Sequence, residues 1–507
     1  MNGGRICILT SMGWGVRNVL MSQAMDVLRQ KGDLHILSNF NHFEAFNRRF
    51  KPLGSLRDLL DLQMAPSTKL LYDWNMLAFY RISPSATHQY KVALRSLETP
   101  IKIKKRKWET GWKKKPPPPT EKMSLLRKIV TPEKWRRLAY RRGAELLSGF
   151  TTRFGGKGLY ALSRRLLLNA LRRDRRYGGY REYFASNGIN TVVSANPLSP
   201  AEYPALLAAR DIGLRTVAVI TSWDNLSSKR PLIIPFDDYL VWNPIMAKEV
   251  KYFYRARDQQ VHEIGPLQFD YYFDERFIDS RQEFCRRYGL DPARKIIVYS
   301  SVTRLLLPDE PVIIEKLLQA MKDGRVRGSP NLLVRPHPKR PMSDFQYIID
   351  DPRWKGLPVA WTEPGKPVRD DGDLWCPLDD EIRLLTNTVH HGDVNLNCFS
   401  TMMLDFAILD KPAVLICHDG QDRKLHYEIY EHLKPVLACK GNRTGYTFEQ
   451  TLEHLNTYLE DPSLEREGRA AMVQIQCGPL LGKSWQRLAR AILREEVPAE
   501  PATTGRH

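Results

Sequence analysis

The chain of 507 residues reads as an α/β protein of two domains, each a parallel sheet covered by helices, with a basic, mainly helical insertion in the first. Three observations predict this. The chain opens on a strand, a glycine-bearing loop, a helix and a second strand, a unit that favours a parallel sheet. Short apolar strands then alternate with amphipathic helices over residues 191–264 and again over 295–416. Between the opening unit and these series lies a stretch that breaks the pattern and holds all the excess charge. The length also suits two large units at roughly 150 residues or more each.

The hydrophobic fraction of 42% and charged fraction of 26% are ordinary for a globular protein. They exclude wholesale disorder, a collagen-like repeat and a disulfide scaffold. Seven cysteines with no CxxC pair fit a reducing compartment, so a cytoplasmic location is expected. The start runs directly into a strand, so no signal peptide is expected, and no run approaches the roughly 20 apolar residues that span a bilayer. The formal net charge is +20, and residues 91–180 hold 26 Lys and Arg against 6 Asp and Glu. The remainder carries 77 − 26 = 51 basic and 57 − 6 = 51 acidic residues, which is neutral. A nucleic-acid binder more often spreads its basic residues over a recognition surface, so no nucleic-acid partner is expected.

Taken in order, Arg5–Thr10 is a buried strand, Ser11–Val16 a loop containing Gly13 and Gly15, Arg17–Gln30 a helix, and Leu34–Leu37 a strand. The pattern breaks from about Pro84, and the insertion is set at about 84–185. Its Lys102–Lys107 and Lys113–Lys115 runs and the prolines 116–119 suit an extended spacer, followed by Arg-faced helices over Met123–Phe150 and Leu159–Phe184. Strands follow at Thr191–Ser194, Thr216–Ile220, Asp238–Trp242 and Val261–Ile264, with helices at Pro200–Arg210 and Ile245–Tyr252. The first domain is thus 1–265 and a connector is 266–290. The second domain, 291–495, has strands at Lys295–Ser301, Asn331–Arg335, Thr388–His391 and Ala413–Ile416. Its helices are Pro311–Lys322, Asp379–Thr386, Thr401–Leu409 and a helical stretch over Phe448–Arg494, before a disordered tail at 496–507.

In open α/β sheets, ligands bind beyond the carboxyl ends of the strands. The loop Arg335-Pro-His-Pro-Lys-Arg340 follows a strand, with His337 restrained between two prolines and Arg335, Lys339 and Arg340 around it. Guanidinium forks and a ring N–H suit a phosphate, although a proline-ended strand with exposed basic residues explains the sequence equally well. The second loop carries Ser400 and Thr401 at a helix start, where hydroxyl residues are ordinary N-caps but also border backbone N–H groups open to an anion. Asp405, one helical turn after Thr401, is placed to accept hydrogen bonds from sugar hydroxyls. The spacings His390-His-Gly-Asp393 and His418-Asp-Gly-Gln-Asp422 match no dependable ligand pattern, so no metal is expected.

Residues 331–419 resemble the nucleotide-binding half of GT-B glycosyltransferases, in particular bacterial surface-polysaccharide transferases and CDP-glycerol glycerophosphotransferases. The resemblance rests on the strand-Arg-Pro-His-Pro motif and on Ser400, Thr401, Asp405, Lys411, Pro412 and Asp419. It implies two Rossmann-like domains facing a cleft. It also implies that Arg335, His337, Ser400 and Thr401 hold a nucleotide-sugar's phosphates and Asp405 its ribose or nearby hydroxyls. No cofactor is expected beyond that donor substrate. A third loop, Thr221–Lys229, contains a Ser-Trp-Asp-Asn-Leu element that similar bacterial proteins carry, and it belongs to the first domain. Trp223, Asn225, Gly13 and Gly15 are therefore expected on the acceptor side, though a capped turn is the plainer explanation. The reaction needs a group to activate or position an acceptor hydroxyl, and Asp224, then Glu202, are the candidates.

The expected function is transfer of a sugar to a cell-surface glycan or lipid-linked acceptor. Alternatives are a polyol-phosphate transferase of the CDP-glycerol type, a nucleotide-sugar epimerase, and a non-catalytic scaffold that binds membrane or nucleic acid. Residues 91–180, with Trp108, Trp112 and Trp135 among the basic residues, are expected to hold the protein at the anionic inner face of the plasma membrane.

Overall fold

The computed structural model describes residues 4–59, 64–97, 132–304, 306–363 and 375–495. The expected spacer, the start of the first Arg-faced helix and the tail lie outside the described residues. The chain divides into two compact units, Met1–Asp61 with Gly179–His507, and Leu62–Gly178.

The larger unit contains two parallel sheets. The first consists of β1 (Ile6–Thr10), β2 (Leu34–Ser38), β3 (Ser55–Asp58), β4 (Thr191–Ser194), β5 (Arg215–Val219), β6 (Asp238–Val241) and β7 (Val261–Glu263), in the order β3-β2-β1-β4-β5-β6-β7. The second consists of β8 (Ile296–Ser300), β9 (Asn331–Arg335), β10 (Val359–Trp361), β11 (Val394–Asn397), β12 (Ala413–Ile416) and β13 (Arg443–Gly445), in the order β10-β9-β8-β11-β12-β13. Both are α/β Rossmann-like halves. Strands β1, β4, β8 and β12 are buried along their whole length, as expected of parallel sheets covered on both faces. Strand order reverses at the β1/β4 and β8/β11 pairs, and these switch points are where such sheets open a crevice.

Several elements differ from expectation, among them the strands β3, β10, β11 and β13, which were not expected. The loop after β1 is already helical at Gly13–Gly15, passes through a π-turn at Val16–Leu20, and gives way to a separate helix at Ala24–Lys31. Residues Thr388–His391 are not a strand but the end of the helix Asp379–His391. Their β-branched Thr388-Val389 pair suggests a strand, but Lys411 Nζ holds the helix end by donating to the carbonyls of Val389, His390 and Gly392. The strand that follows, β11, is disguised by Asn395 and Asn397. Asn395 is buried and donates to Val298 O at 3.0 Å and Ser300 Oγ at 2.8 Å. The stretch Leu159–Phe184 is two helices, Lys157–Arg172 and Arg175–Ser186, because Asp174 draws in the Arg176 amide and guanidinium.

The final helix, Ser484–Leu493, sits within the expected second domain but packs by Leu488, Ala489 and Ile492 into the core of the first sheet. Arg215 at the head of β5 reaches it, donating to Ala491 O at 2.8 Å. Among the described residues, no helix is long and apolar enough to cross a membrane.

The smaller unit begins at Leu62, ahead of the expected 84, since the helix Pro66–Ile82 belongs to it. That helix carries little charge, so composition gives no sign of the boundary. Its residues are buried most of the way round against the helices Pro132–Phe154 and Lys157–Arg172. Trp74 Nε1 donates to Thr151 Oγ1 at 2.9 Å, and Asn75 Nδ2 to Ser163 Oγ at 3.0 Å.

Candidate functional site

At the first switch point, one buried carboxylate ties the strand ends together. Glu202 Oε1 accepts from Ser11 N at 3.1 Å and Ser11 Oγ at 2.8 Å, and Oε2 accepts from Ser194 Oγ. Burial pushes the Glu202 carboxyl up to about 7, although the serine donors pull it the other way. Gly15 lies so close that a Cβ there would fall 2.4 Å from Asn196 Oδ1, which itself accepts from Met12 N at 3.1 Å. A Cβ at Gly13 would fall 2.1 Å from the Trp375 carbonyl oxygen. Both glycines therefore serve close packing of loops.

At the second switch point, Glu310 does the corresponding work. It accepts from Ser301 Oγ at 2.6 Å and Val302 N at 3.1 Å, and it pairs with Arg340 at 2.8 Å. Arg340 is fully buried and also donates to Leu307 O at 2.8 Å, so it braces the β8 exit rather than facing a ligand. Arg335 differs: it is half-buried, its Nε has no hydrogen-bond partner, and it forms no ion pair with a described residue, whereas Arg340 pairs with both Glu310 and Asp344. His337 Nδ1 accepts from Lys339 N at 3.0 Å. Burial, then the charges of Arg335 and Lys339, push the ring down to about 4, so at neutral pH its proton sits on Nε2.

Phe399 takes a left-handed backbone (φ 52°) and turns β11 sharply into the helix Met402–Ala407. Asn397 Oδ1 fixes the turn by accepting from Ser400 N at 2.8 Å. The helix start is largely self-satisfied, since Met402 N donates to Ser400 Oγ at 3.4 Å and Leu404 N to Thr401 O at 2.8 Å. Less of the helix N-terminus is open to an anion than its sequence suggests. Thr401 Oγ1 accepts from Trp223 Nε1 at 3.3 Å, which joins the β5 exit to the β11 exit.

Asp405 is buried, and its Oδ1 accepts from the Tyr272 hydroxyl of the connector. Burial pushes Asp405 up to about 6, against that hydrogen bond and the positive fields of Arg17 and Arg335. Arg17, on the π-turn after β1, is buried and donates to Asn18 Oδ1 at 2.9 Å and Gln268 Oε1 at 2.7 Å. Two arginines from opposite halves thus share electrostatic reach of one carboxylate. Beside Trp223, His432 packs edge-on with ring centroids 4.9 Å apart, and its Nδ1 lies 2.8 Å from Ser228 Oγ. Asp224 accepts from Ser222 Oγ at 2.8 Å and pairs with Lys229 at 2.8 Å. Burial pushes Asp224 up, but Lys229 and His432 outweigh it and hold the carboxyl at about 2. Asn225 opens the short helix that follows Asp224.

No protein-family model matches the chain, and no curated protein matches it in sequence. Its fold is similar to a UDP-N-acetylglucosamine 2-epimerase at TM-score 0.52 and 8% identity, with 100% of both chains covered. It is also similar to the UDP-GlcNAc 2-epimerase of Methanocaldococcus jannaschii, at TM-score 0.50 and 9% identity over 97% of this chain and 99% of that one. The Neisseria meningitidis UDP-GlcNAc 2-epimerase bound to UDP-GlcNAc gives TM-score 0.50 and 10% identity over 97% of this chain and 100% of that one. The fold is GT-B.

The structure brings Arg335 into the field of Asp405, and Thr401 against Trp223. The hydrogen bonds of Glu202 run to Ser11 and Ser194, not to the Asp224 loop. Sequence reasoning missed Arg17, Tyr272 and His432. An arginine inside the otherwise uncharged run Gly13–Leu20 was the one available signal for Arg17. Tyr272 and His432 sit in segments that read as ordinary linkers. Among the described residues, no three His, Cys, Asp or Glu side chains group as metal ligands would.

Proposed function

We propose that this GT-B protein is an enzyme acting on a nucleotide-activated sugar, and that it transfers the sugar to a cell-surface glycan or lipid-linked acceptor. One observation carries the reading: Arg17 and Arg335, from opposite halves, converge electrostatically around Asp405, and the Arg335 Nε has no protein partner. Such guanidinium groups, with the Nε2–H of His337, suit the negative charge that grows on a leaving nucleotide diphosphate. Similar folds that carry UDP-GlcNAc support a nucleotide-sugar as the ligand class. Ser400 and Thr401 stand just before the helix that carries Asp405. Asp224, ionised and braced by Lys229, orients an acceptor hydroxyl more readily than it removes a proton, because a carboxyl held at about 2 has little proton affinity.

Epimerisation is the second reading, favoured by the full-length match to an epimerase fold. Incubation with a panel of nucleotide-sugars and CDP-glycerol separates the possibilities. Sugar transfer releases a nucleoside diphosphate only with acceptor present, glycerophosphate transfer releases CMP, and epimerisation gives a new sugar with no nucleotide released in proportion. If no nucleoside diphosphate raises the melting temperature, the cleft assignment is wrong.

A further inference from the structure

Two helices of the smaller unit carry the same three bands around their axes. On Pro132–Phe154, Thr151 is buried, while Leu146, Phe150 and Phe154 are 75%, 50% and 62% exposed. At about 100° per residue these three form one stripe beside the buried face, and the exposed Arg142 and Arg153 border the stripe's far edge. The Phe150 and Phe154 rings lie 5.2 Å apart, and the Arg153 guanidinium is 5.5 Å from the Phe154 ring. On Lys157–Arg172, the buried band is Ser163, Leu167 and Leu171. Next to it lie Leu162 and Leu166, 48% and 39% exposed, and then the exposed Arg165 and Arg172. Between Tyr140 and Gly178 the sequence has ten Lys or Arg and two acidic residues.

We propose that these two helices lie in the interface of an anionic bilayer, with the leucine and phenylalanine stripes in the acyl boundary and the arginines among the headgroup phosphates. Scattered exposed apolar residues need no explanation, but a stripe in helical register beside a basic band is the pattern of an interfacial helix. Neither helix is apolar enough to cross a membrane, so the contact is peripheral. Charge complementarity selects an anionic surface. Phe150 and Phe154 could stack on a nucleobase, but Leu146, Leu162 and Leu166 cannot, and a stripe mainly of leucines favours lipid over single-stranded RNA. The inference stands apart from the enzymatic reading, which concerns the larger unit.

The full-length chain is sedimented with vesicles of phosphatidylcholine alone and of phosphatidylcholine mixed with phosphatidylglycerol, over a salt series. Binding is expected only to the anionic vesicles and should weaken as salt shortens the screening length. The F150S/F154S variant should lower the partition coefficient by about tenfold or more, and the R153E/R165E variant by a similar factor. Both change exposed positions, and an unaltered circular dichroism spectrum and melting temperature verify the fold. Equal binding to neutral vesicles overturns the proposal, as does undiminished anionic binding by F150S/F154S. So does self-association of the chain that this variant abolishes, or tighter binding to single-stranded RNA than to anionic vesicles.

Discussion

The two sheets of the larger unit are fastened at their switch points in the same way, and they differ in what stands behind the fastening. In each, a buried glutamate at the start of a helix accepts from a serine hydroxyl and a backbone N–H just beyond the first strand: Glu202 from Ser11, and Glu310 from Ser301 and Val302. Behind Glu310 stands the buried guanidinium of Arg340; behind Glu202 stand neutral groups, the Ser11 and Ser194 hydroxyls and the Ser11 and Asn196 backbone. A carboxylate backed by neutral donors can take up a proton without losing its role, because the protonated form still accepts at one oxygen and donates at the other. A carboxylate backed by a cation loses an ion pair when it takes up a proton, yet burial pushes Glu310 up to about 7 just as it does Glu202. The lesson is that burial shifts both fastening carboxylates the same way, and what stands behind each decides what protonation breaks: reversible hydrogen bonds at Glu202, an ion pair at Glu310.

The largest effect should come from breaking the ion pair. Arg340→Met leaves Glu310 buried without its cation and should destabilise the fold by about 3–5 kcal/mol in urea unfolding. Glu310→Gln in the same chain should recover part of the loss. If Arg340→Met costs under about 1 kcal/mol, the two fastenings are equivalent and the contrast fails. Arg335, on the same loop but half-buried and in no ion pair with a described residue, should behave oppositely: Arg335→Ala should leave stability within about 0.5 kcal/mol and lower turnover with a nucleotide-activated donor by about 10²–10³.

Protonation sharpens the contrast at Glu202. Its folded pKa, raised to about 7 from the model-compound value of 4.5, means the native state binds the extra proton between those values. The resulting stabilisation is fully present below about 4.5 and disappears as pH rises through about 7. Glu202→Gln mimics the protonated form, so between pH 5.5 and 8.5 its stability relative to the parent should improve by about 2 kcal/mol. A constant difference across that range would show that Glu202 is ionised throughout. The smallest effect is expected at the Asp224 loop. Asp224→Asn loses the ion pair to Lys229 and should change stability by about 1 kcal/mol or less, because Lys229 is solvent-exposed. On the proposed reading it should also lower turnover by about 10²-fold with unchanged nucleotide affinity. Nearly full turnover would remove Asp224 from the reaction.

The sequence by itself determined the two parallel sheets, because strands buried on both faces must be apolar and close-spaced, and β1, β4, β5, β8, β9 and β12 read that way within a residue or two. It located the three polar loops for the same reason: each follows an apolar run that has to be a strand. It also located the charge excess, which is a matter of counting. Tertiary structure decided the rest. Asn395 and Asn397 make a core strand look like a loop until their bonds are known: Asn395 donates across the sheet to Val298 O, and Asn397 donates to Asn395 Oδ1 along the strand. Arg335 and Arg340 are the same residue type five positions apart, and only packing tells the half-buried one, in no ion pair with a described residue, from the fully buried one locked to Glu310 and Asp344. Arg17 and Asp405 stand far apart in the chain and come within electrostatic reach only when both sheets have folded. Burial and long-range pairing set the charge state and accessibility of a side chain, and neither is a property of its neighbours in sequence.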